Sequence, residues 1–223
     1  MSIINFRYKL KYFSTIVFVL LALSIQSCKK TTAKRTVIYQ NNFESGDSVN
    51  LTNAKITTYL NSKVLGRFNT GFFTLQLDNI PEHDLIEVSF DLYIHDSWDG
   101  NSIGNEIAFG GPDIWEMTVD GKKYISTTFS NSVCNGSYCI QQSYPYNYPY
   151  LTNPGTGAAD TNLPPFCTTN PGTKTSLYKI KKVIKHKKGN LVLTCMDKLV
   201  QTNTEDPLCD ESWSLDNIII TAL

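Results

Sequence analysis

The chain has 223 residues, and its 20 lysine and arginine residues balance its 20 aspartate and glutamate residues. A formal charge of zero gives no overall excess of positive charge, so the composition does not suggest a nucleic-acid partner. Hydrophobic residues make up 41% of the chain, and a chain of this length supports one sizeable core. We therefore expect a single folded domain.

The first 27 residues have the pattern of an export signal. Three basic residues, Arg7, Lys9 and Lys11, precede the 13 apolar or small residues 13–25. This run is shorter than the roughly 20 residues that span a bilayer, but it suits the core of a signal peptide. Removal of residues 1–27 leaves 196 residues with a formal charge of −3.

The end of the signal, SIQSC, resembles the lipobox of bacterial lipoproteins. Ile25 and Ser27 fit that pattern, whereas Gln26 is bulkier than usual. The resemblance implies cleavage before Cys28 and lipidation of that cysteine, so that acyl chains would anchor the protein to a membrane of the cell envelope. The alternative is an ordinary secretory signal with an incidental cysteine. Residues 28–36 would then form a polar, basic tether.

After the tether, short segments rich in β-branched and aromatic residues alternate with turn residues, which predicts strands. In the segment 86–95, apolar residues at alternate positions share one face. The predicted strands are residues 36–44, 72–80, 86–95, 113–121, 124–130, 177–184, 190–196 and 215–223. Eight strands and no helical period predict an all-β fold, a β-sandwich of jelly-roll type over residues 37–223.

Two segments depart from this pattern. Residues 131–175 contain most of the prolines and a cluster of tyrosines, and such a long loop insertion is either functional or disordered. Residues 179–188, KIKKVIKHKK, form the one run of positive charge. We favour an edge strand whose lysines prevent further pairing. The alternative is a patch that attracts an acidic polysaccharide or lipid headgroups.

Five cysteines besides Cys28 suit an oxidising compartment and allow at most two disulfides within the chain. Cys134 and Cys139 flank an Asn-Gly turn and are the easiest pair. Cys195 and Cys209 would close the last long loop and leave Cys167 free. Spacing alone does not determine this connectivity.

The ends of the predicted domain, NNFESG at 41–46 and LDNIII at 215–220, resemble the opening and closing strands of jelly-roll modules. These are bacterial carbohydrate-binding modules and MAM-type domains, with galactose-binding-like or concanavalin-like folds. The resemblance implies a structural calcium held by Glu44 and Asp216. If the first and last strands are neighbours, these carboxylates converge and favour a cation between them. The alternative is a turn at Glu44 and a strand cap at Asp216, without an ion.

The segment HDSWDGN, residues 95–101, offers hard oxygen ligands in Asp96, Asp99 and Asn101. A second cation site is one interpretation. The other is a structural turn, because Asp-Gly and Gly-Asn are standard turn pairs and Trp98 would fold over the end of the sandwich.

Aromatic side chains are the candidate ligand-binding residues. Tyr144, Tyr146, Tyr148 and Tyr150 lie at alternate positions, so an extended segment would present all four on one side. Together with Trp98 they would stack on sugar rings. The alternative is that the tyrosines pack the long loop onto the sandwich.

No catalytic constellation is evident. The string GNSIG, residues 100–104, has the serine pattern of hydrolases but no following helix, and the carboxylates of jelly-roll glucanases have no counterpart. We therefore expect a non-catalytic envelope protein that binds glycan or another surface polymer. A structural or adhesion component with a protein partner, and a glycan-active hydrolase, are the alternatives.

Overall fold

Twelve strands and one short helix make up the part of the chain that the computed structural model describes, which is residues 35–103, 111–135, 139–168, 172–199 and 204–223. The elements are β1 (Thr36–Asn41), β2 (Leu51–Thr52), β3 (Ile56–Tyr59), β4 (Ser62–Phe68), β5 (Phe72–Leu77), β6 (Leu85–Asp96), β7 (Ile114–Val119), β8 (Lys122–Thr128), β9 (Asp160–Leu163), β10 (Lys174–Lys185), β11 (Leu191–Asp197), α1 (Pro207–Asp210) and β12 (Glu211–Ala222). No helix within these ranges is both long enough and apolar enough to cross a bilayer.

The strands form two antiparallel sheets. The first has the order β3-β4-β12-β6-β10-β9, with β1 also paired to β12, and the second has the order β2-β5-β11-β7-β8. Both sheets contribute to one hydrophobic core. The predicted all-β sandwich of jelly-roll type is confirmed.

The first and last strands are neighbours, as expected from the sequence. β1 runs antiparallel to β12, with Thr36 opposite Ala222 and Asn41 opposite Ile218. β12 occupies the middle of its sheet, because β6 pairs along its other side. The opening segment of the domain therefore lies beside the closing one.

Aromatic rings join the two sheets. Phe90 of β6 lies 6.0 Å from Trp115 of β7, and Trp115 lies 5.9 Å from Trp213 of β12 (ring centroids). Phe73 of β5 packs on Trp213 at 6.3 Å. Apart from Phe90, these side chains are fully buried. Burial of such large apolar surfaces is the main source of stability of the sandwich.

The lysine-rich half of β10 behaves as an edge. β9 pairs with β10 only at Thr175 and Leu177, so that residues 179–185 pair with β6 alone among the described strands. Lys179 forms an ion pair with Asp91. Residues of this kind on an exposed edge resist pairing with another chain, which matches the favoured interpretation of the lysine run.

Two disulfides lie within the part of the chain that the structure describes. Cys134 bonds to Cys139, as predicted, and Cys167 bonds to Cys209. The predicted pair of Cys195 with Cys209 is wrong. Cys195 lies in the middle of β11, where its side chain is fully buried in the core and is a free thiol. Cys209 lies in α1, within reach of the end of the long loop.

Candidate functional site

A tightly bonded tyrosine loop runs along β8, at the edge of the second sheet. The N–H of Tyr148 donates to the carbonyl of Ser126 (2.7 Å), and the N–H of Ser126 donates to Asn147 Oδ1 (3.1 Å). The hydroxyl of Thr127 donates to the carbonyl of Tyr146 (2.7 Å). The loop at 143–150 is therefore held to a strand by hydrogen bonds, which fixes where its side chains point.

The four tyrosines do not form the predicted row. The N–H of Tyr146 bonds to the carbonyl of Ser143 (2.9 Å), so the chain turns here and the side chains do not alternate as in a strand. Tyr144 packs inward against Phe129, with ring centroids 5.1 Å apart, and Tyr148 is partly buried. Two of the four tyrosines, Tyr144 and Tyr148, therefore pack at least partly against the protein. For these two residues the structure agrees with the alternative that the tyrosines pack the long loop onto the sandwich.

Tyr146 and Tyr150 remain at the surface as a pair. Their ring centroids are 4.1 Å apart, and the two residues are 53% and 48% exposed. The carbonyl of Tyr150 accepts hydrogen bonds from Asn101 Nδ2 (2.6 Å) and from the hydroxyl of Ser143 (3.0 Å). We call Tyr146 and Tyr150 the tyrosine platform.

Asn101 supports this loop and does not join the predicted second cation site. Its Oδ1 accepts hydrogen bonds from the hydroxyls of Thr128 and Ser143. Because this oxygen already has two donors, the prediction that Asn101 binds a cation is corrected. The residue instead ties the end of β8 to the tyrosine platform.

Trp98 is not a ligand-binding residue. Its side chain is fully buried, and its indole Nε1 donates to the carbonyl of Ser212 (2.9 Å). Its ring contacts Phe129 at 6.2 Å. The indole is inaccessible to a sugar, so this prediction is wrong, whereas the alternative of a structural turn with Trp98 folded inward agrees with the structure.

Asp96 and Asp99 face different neighbours, so they do not share one cation. The Asp96 carboxylate accepts long hydrogen bonds of 3.5 Å from the N–H of Cys167 and the hydroxyl of Thr173. Burial raises the pKa of Asp96 to about 6, while the nearby Arg67 guanidinium opposes this increase. Asp96 thus has a protein cation close by, and the prediction of a site formed by Asp96, Asp99 and Asn101 is corrected.

Asp99 instead belongs to an acidic group that the sequence analysis missed. Its N–H donates to Asp113 Oδ2, and the carboxyl group of Asp113 lies against that of Glu211. Burial and the Asp113 charge raise the pKa of Glu211, and burial raises that of Asp113. Burial and then the charge of Asp210 raise the pKa of Asp99 to about 6. The one sequence signal is a repeated arrangement of an acid two positions before a tryptophan, DSW at 96–98 and ESW at 211–213.

Glu44 and Asp216 are close enough to interact electrostatically. Burial raises the pKa of Asp216 to about 6, and the charges of Asp91 and Glu44 add to this increase. Glu44 itself is exposed, and its Oε1 accepts hydrogen bonds from the hydroxyl of Ser62 (2.5 Å) and the N–H of Lys63 (3.0 Å). The charge of Glu44 thus acts on Asp216, and the binding of calcium by these two carboxylates stays a prediction.

No three acidic, histidine or cysteine side chains in the described ranges already converge as a complete set of metal ligands. A calcium ion at either acidic group would therefore need main-chain carbonyls and water to complete its shell. The predicted lipidation residue, Cys28, lies outside the described residues.

A groove of about 510 Å³ lies beside the lysine run, between the start of β8 and the end of β10. Tyr124 and Lys122 line one side, and residues 185–188 line the other. Lys188 forms an ion pair with Asp120 (2.9 Å), a residue of the groove itself. Because neighbouring acids compensate part of this charge, the groove gives little support to the polyanion alternative.

No family model matches the chain, and no curated protein matches it. Among solved structures, a family 35 carbohydrate-binding module from Clostridium thermocellum is similar at 12% identity and a TM-score of 0.36, over 84% of this chain and 98% of that one. The K2 cleaved adhesin domain of Lys-gingipain has 12% identity and a TM-score of 0.36, over 83% and 98%.

A third similar structure is a family 115 4-O-methyl-α-glucuronidase with specificity for decorated arabinogalactans. It has 14% identity and a TM-score of 0.39, and the match covers 88% of this chain but 19% of that enzyme. These likenesses assign no activity to this chain.

Proposed function

We propose that this protein is a non-catalytic glycan-binding module, anchored through lipid on Cys28 to a membrane of the cell envelope. The tyrosine platform is the observation that carries the binding role. Large aromatic side chains are usually buried. Exposed aromatic rings therefore indicate a binding surface more strongly than buried ones do. Two adjacent rings offer an apolar face to the C–H side of a sugar, while their hydroxyls bond to sugar hydroxyls.

The rigidity of the loop supports this role. Hydrogen bonds to Ser126, Thr127 and Asn101 fix the backbone on either side of the platform. A binding surface that is already ordered loses less conformational entropy when a ligand arrives. The platform therefore suits a flexible polymer, whose own ordering opposes binding.

The alternative of a protein partner has one specific observation in its favour. Leu151 directly follows the platform and is 66% exposed. With Tyr146 and Tyr150 it places three apolar side chains in one short segment, and exposed apolar patches mark protein interfaces. A glycan-binding site tolerates a charge at this leucine better than a dry protein interface does.

The non-catalytic part of the proposal rests on where the carboxylates lie. Glycoside hydrolysis needs two carboxyl groups on opposite sides of a bond in a substrate-accessible cleft. Asp113 and Glu211 face each other, but both are buried, so a polymer does not reach them. Glu44 and Asp216 differ in exposure, with Glu44 bonded to Ser62.

The test is binding of the full-length protein to a glycan array and to polysaccharides of the cell envelope, with and without calcium. We expect Tyr146→Ala with Tyr150→Ala to abolish binding, because both rings of the platform are removed. Phe72→Ala is the matched control, since Phe72 is also exposed (44%) but lies on β5. Leu151→Asp should retain glycan binding.

Absence of binding to every glycan would contradict the proposal, as would equal binding by the double tyrosine variant. Selective loss of a protein partner in Leu151→Asp would favour the alternative. Circular dichroism of each variant confirms that the sandwich is intact. Substitution of exposed side chains of this kind usually changes stability by about 0.5 kcal/mol or less.

A further inference from the structure

A small polar pocket opens where the long loop meets β9 and β10. Its volume is about 70 Å³, and it is lined by the segment that follows β8, by the long loop and by both strands. Lys174 carries the one charge among the described residues of the lining, which include no acid. None of the lining residues belongs to the tyrosine platform. The pocket is therefore a separate candidate site.

Hydrogen bonds hold the wall of this pocket in place. The Nδ2 of Asn131 donates to the carbonyls of Ile94 (3.0 Å) and Asp96 (2.9 Å), at the end of β6. The same nitrogen donates to the carbonyl of Lys174 (3.1 Å), and Asn131 Oδ1 accepts from the hydroxyl of Ser176 (2.6 Å). A pocket that is ordered beforehand loses less conformational entropy when a ligand binds.

The long loop forms part of the wall through a glycine. The N–H of Gly155 donates to Gln142 Oε1 (2.9 Å). Gly155 has a φ of +72°, and an added Cβ would lie 2.7 Å from Thr161 Cγ2. Only a residue without a Cβ allows the loop to approach β9 this closely. Thr161 is thus held beside the loop in the wall of the pocket.

Lys174 has no counter-ion at this position. Lys174 and Ser176 lie at alternate positions of β10 and share one side of the strand, on which Ser176 is 1% exposed. Asp96 lies opposite Lys174 in the register with β6. Its carboxylate instead accepts hydrogen bonds from the N–H of Cys167 and the hydroxyl of Thr173. No acid in the described ranges forms an ion pair with the Lys174 ammonium. Because Lys174 is half-buried, its charge favours an anionic ligand.

Two hydroxyl groups add to this lysine. Ser132 and Thr161 line the pocket, and neither hydroxyl has a hydrogen-bond partner among the described residues. Together with the Lys174 ammonium they provide three donor groups from three segments of the chain. A carboxylate offers two oxygens to such donors, whereas a sulfate or phosphate ester offers three. The donor set therefore suits an ester of this kind, whose charged oxygens accept strong hydrogen bonds.

We propose that this pocket binds a sulfate or phosphate ester on a glycan, an inference that rests on the glycan-binding role proposed above. A volume of about 70 Å³ is well below the roughly 300–1,000 Å³ of sites that enclose a whole small ligand. The pocket therefore accepts one substituent of a sugar, while the sugar ring stays outside. A neutral glycan would bind at the tyrosine platform without entering the pocket.

Calorimetry on the full-length protein tests this site. The probes are a sulfate ester and a phosphate ester of glucose, with glucose as the neutral control and glucuronate as the carboxylate control. We expect saturable binding of at least one ester and weaker binding of both controls. The ester that binds more tightly distinguishes a sulfated glycan from a phosphorylated one.

The variant Lys174→Gln should weaken ester binding by about tenfold or more, because a charge-assisted hydrogen bond is lost. Ser132→Ala with Thr161→Val should also weaken binding, because both hydroxyls are removed. Lys185→Gln is the matched control, since Lys185 also lies on β10 and is exposed, but lines the groove beside the lysine run. This variant should bind the ester as the wild type does.

Three outcomes would overturn the proposal. They are no binding of either ester by the wild-type protein, equal weakening in Lys174→Gln and Lys185→Gln, and tighter binding of glucuronate than of both esters. The first outcome would leave the pocket to water, and the second would assign the attraction to the lysines of β10 in general. Should Lys174→Gln fail to fold, as judged by circular dichroism, the double variant of Ser132 and Thr161 decides alone.

The tyrosine platform and the pocket give separate results. Glycan binding that disappears in Tyr146→Ala with Tyr150→Ala but persists in Lys174→Gln supports the platform, whatever the pocket binds. Ester binding that depends on Lys174, without any binding to the glycan array, contradicts the role of the platform and leaves the pocket as a site for the ester.

Discussion

Cys167 and Cys209 are joined by a disulfide that ties the end of the long loop to the short helix before β12. The two cysteines are 42 residues apart in the sequence. Cross-linking such a loop restricts the unfolded chain by about 4 kcal/mol in the loop-closure model. We expect Cys167→Ser with Cys209→Ser to lower the free energy of unfolding by about this amount, measured by urea denaturation.

The other disulfide supplies the control. Cys134 and Cys139 are five positions apart in the sequence, so the same model gives their bond about 2 kcal/mol. The corresponding double serine variant should therefore destabilise the protein less than the Cys167 and Cys209 variant. A larger effect from the short loop would show that loop closure does not determine the ranking.

His95 should contribute a stabilisation that is lost in acid, whereas the carboxyl groups with a raised pKa, Asp96, Asp99 and Asp216, act in the opposite direction. The His95 ring is fully buried between the hydroxyls of Thr175 (3.0 Å) and Ser214 (2.7 Å). Burial, and then the charge of Arg67, lower its pKa to about 3, from 6.5 in the unfolded chain. The folded state therefore excludes a proton that the unfolded state binds, and the stabilisation present above pH 6.5 is lost as the pH falls towards 3.

Through His95, each pH unit in the middle of this window lowers the free energy of unfolding by about 1 kcal/mol. The variant His95→Gln keeps a hydrogen-bonding side chain but does not titrate. Between pH 6.5 and pH 4.5 we expect the stability of this variant, relative to that of the wild type, to increase by about 2 kcal/mol. The free energy of unfolding of each protein is measured by urea denaturation at several pH values. If it changes with pH equally in the wild type and in His95→Gln, His95 is not a source of acid sensitivity.

The long strands were predictable where their side chains alternate, as in β6, whereas β12 was predicted only from residue 215 and has an irregularity between Asp216 and Ile219. β6 and β12 are each 12 residues long and form the centre of the first sheet. β4 was missed, since Gly66 interrupts its apolar pattern. The structure gives a reason for that glycine: it has a φ of +134°, and an added Cβ would lie 2.8 Å from Ser214 Cβ. Contact with β12, and not strand propensity, explains the residue.

The strands β2, β3 and β9 have two to four residues each, too few for an alternation to be recognised. They exist because longer neighbours pair with them. The prediction that the four tyrosines form one row was wrong for a related reason. Residues at alternate positions share one side only where the backbone is extended. The turn at Ser143 and Tyr146 breaks that condition.

Long-range meetings of polar residues were only partly predictable. Proximity of Glu44 and Asp216 follows from the pairing of the first and last strands, which the end motifs suggested. Asp113 and Glu211 belong to different sheets and are 98 positions apart in the sequence. The alternation of side chains along a strand does not predict a contact between such distant residues. The same holds for Cys167 and Cys209, because spacing does not determine which cysteines meet.

Lipid anchoring is a separate prediction that depends on Cys28 alone. We expect Cys28→Ser to remove the protein from the membrane fraction and to abolish incorporation of a labelled fatty acid. Cys195→Ala is the control, because that free thiol is fully buried and should leave labelling unchanged. Membrane retention of the Cys28→Ser protein would show that another segment attaches it.

Calcium at Glu44 and Asp216 is the last prediction. An ion that binds only the folded state raises the melting temperature by mass action. Calcium should therefore raise the melting temperature, and Glu44→Gln or Asp216→Asn should reduce the increase, because each removes a charged ligand. Asp78→Asn is the control, since Asp78 is exposed and lies outside both acidic groups.

The measurement is repeated in the Glu211→Gln background, which removes one carboxylate of the buried acidic group around Asp113. A calcium-dependent increase that persists there and disappears with Asp216→Asn belongs to the Glu44 and Asp216 pair. An increase unaffected by Glu44→Gln and Asp216→Asn would contradict calcium binding here. In that case the hydrogen bonds from Ser62 and Lys63 to Glu44 would account for its position, as the turn interpretation expects.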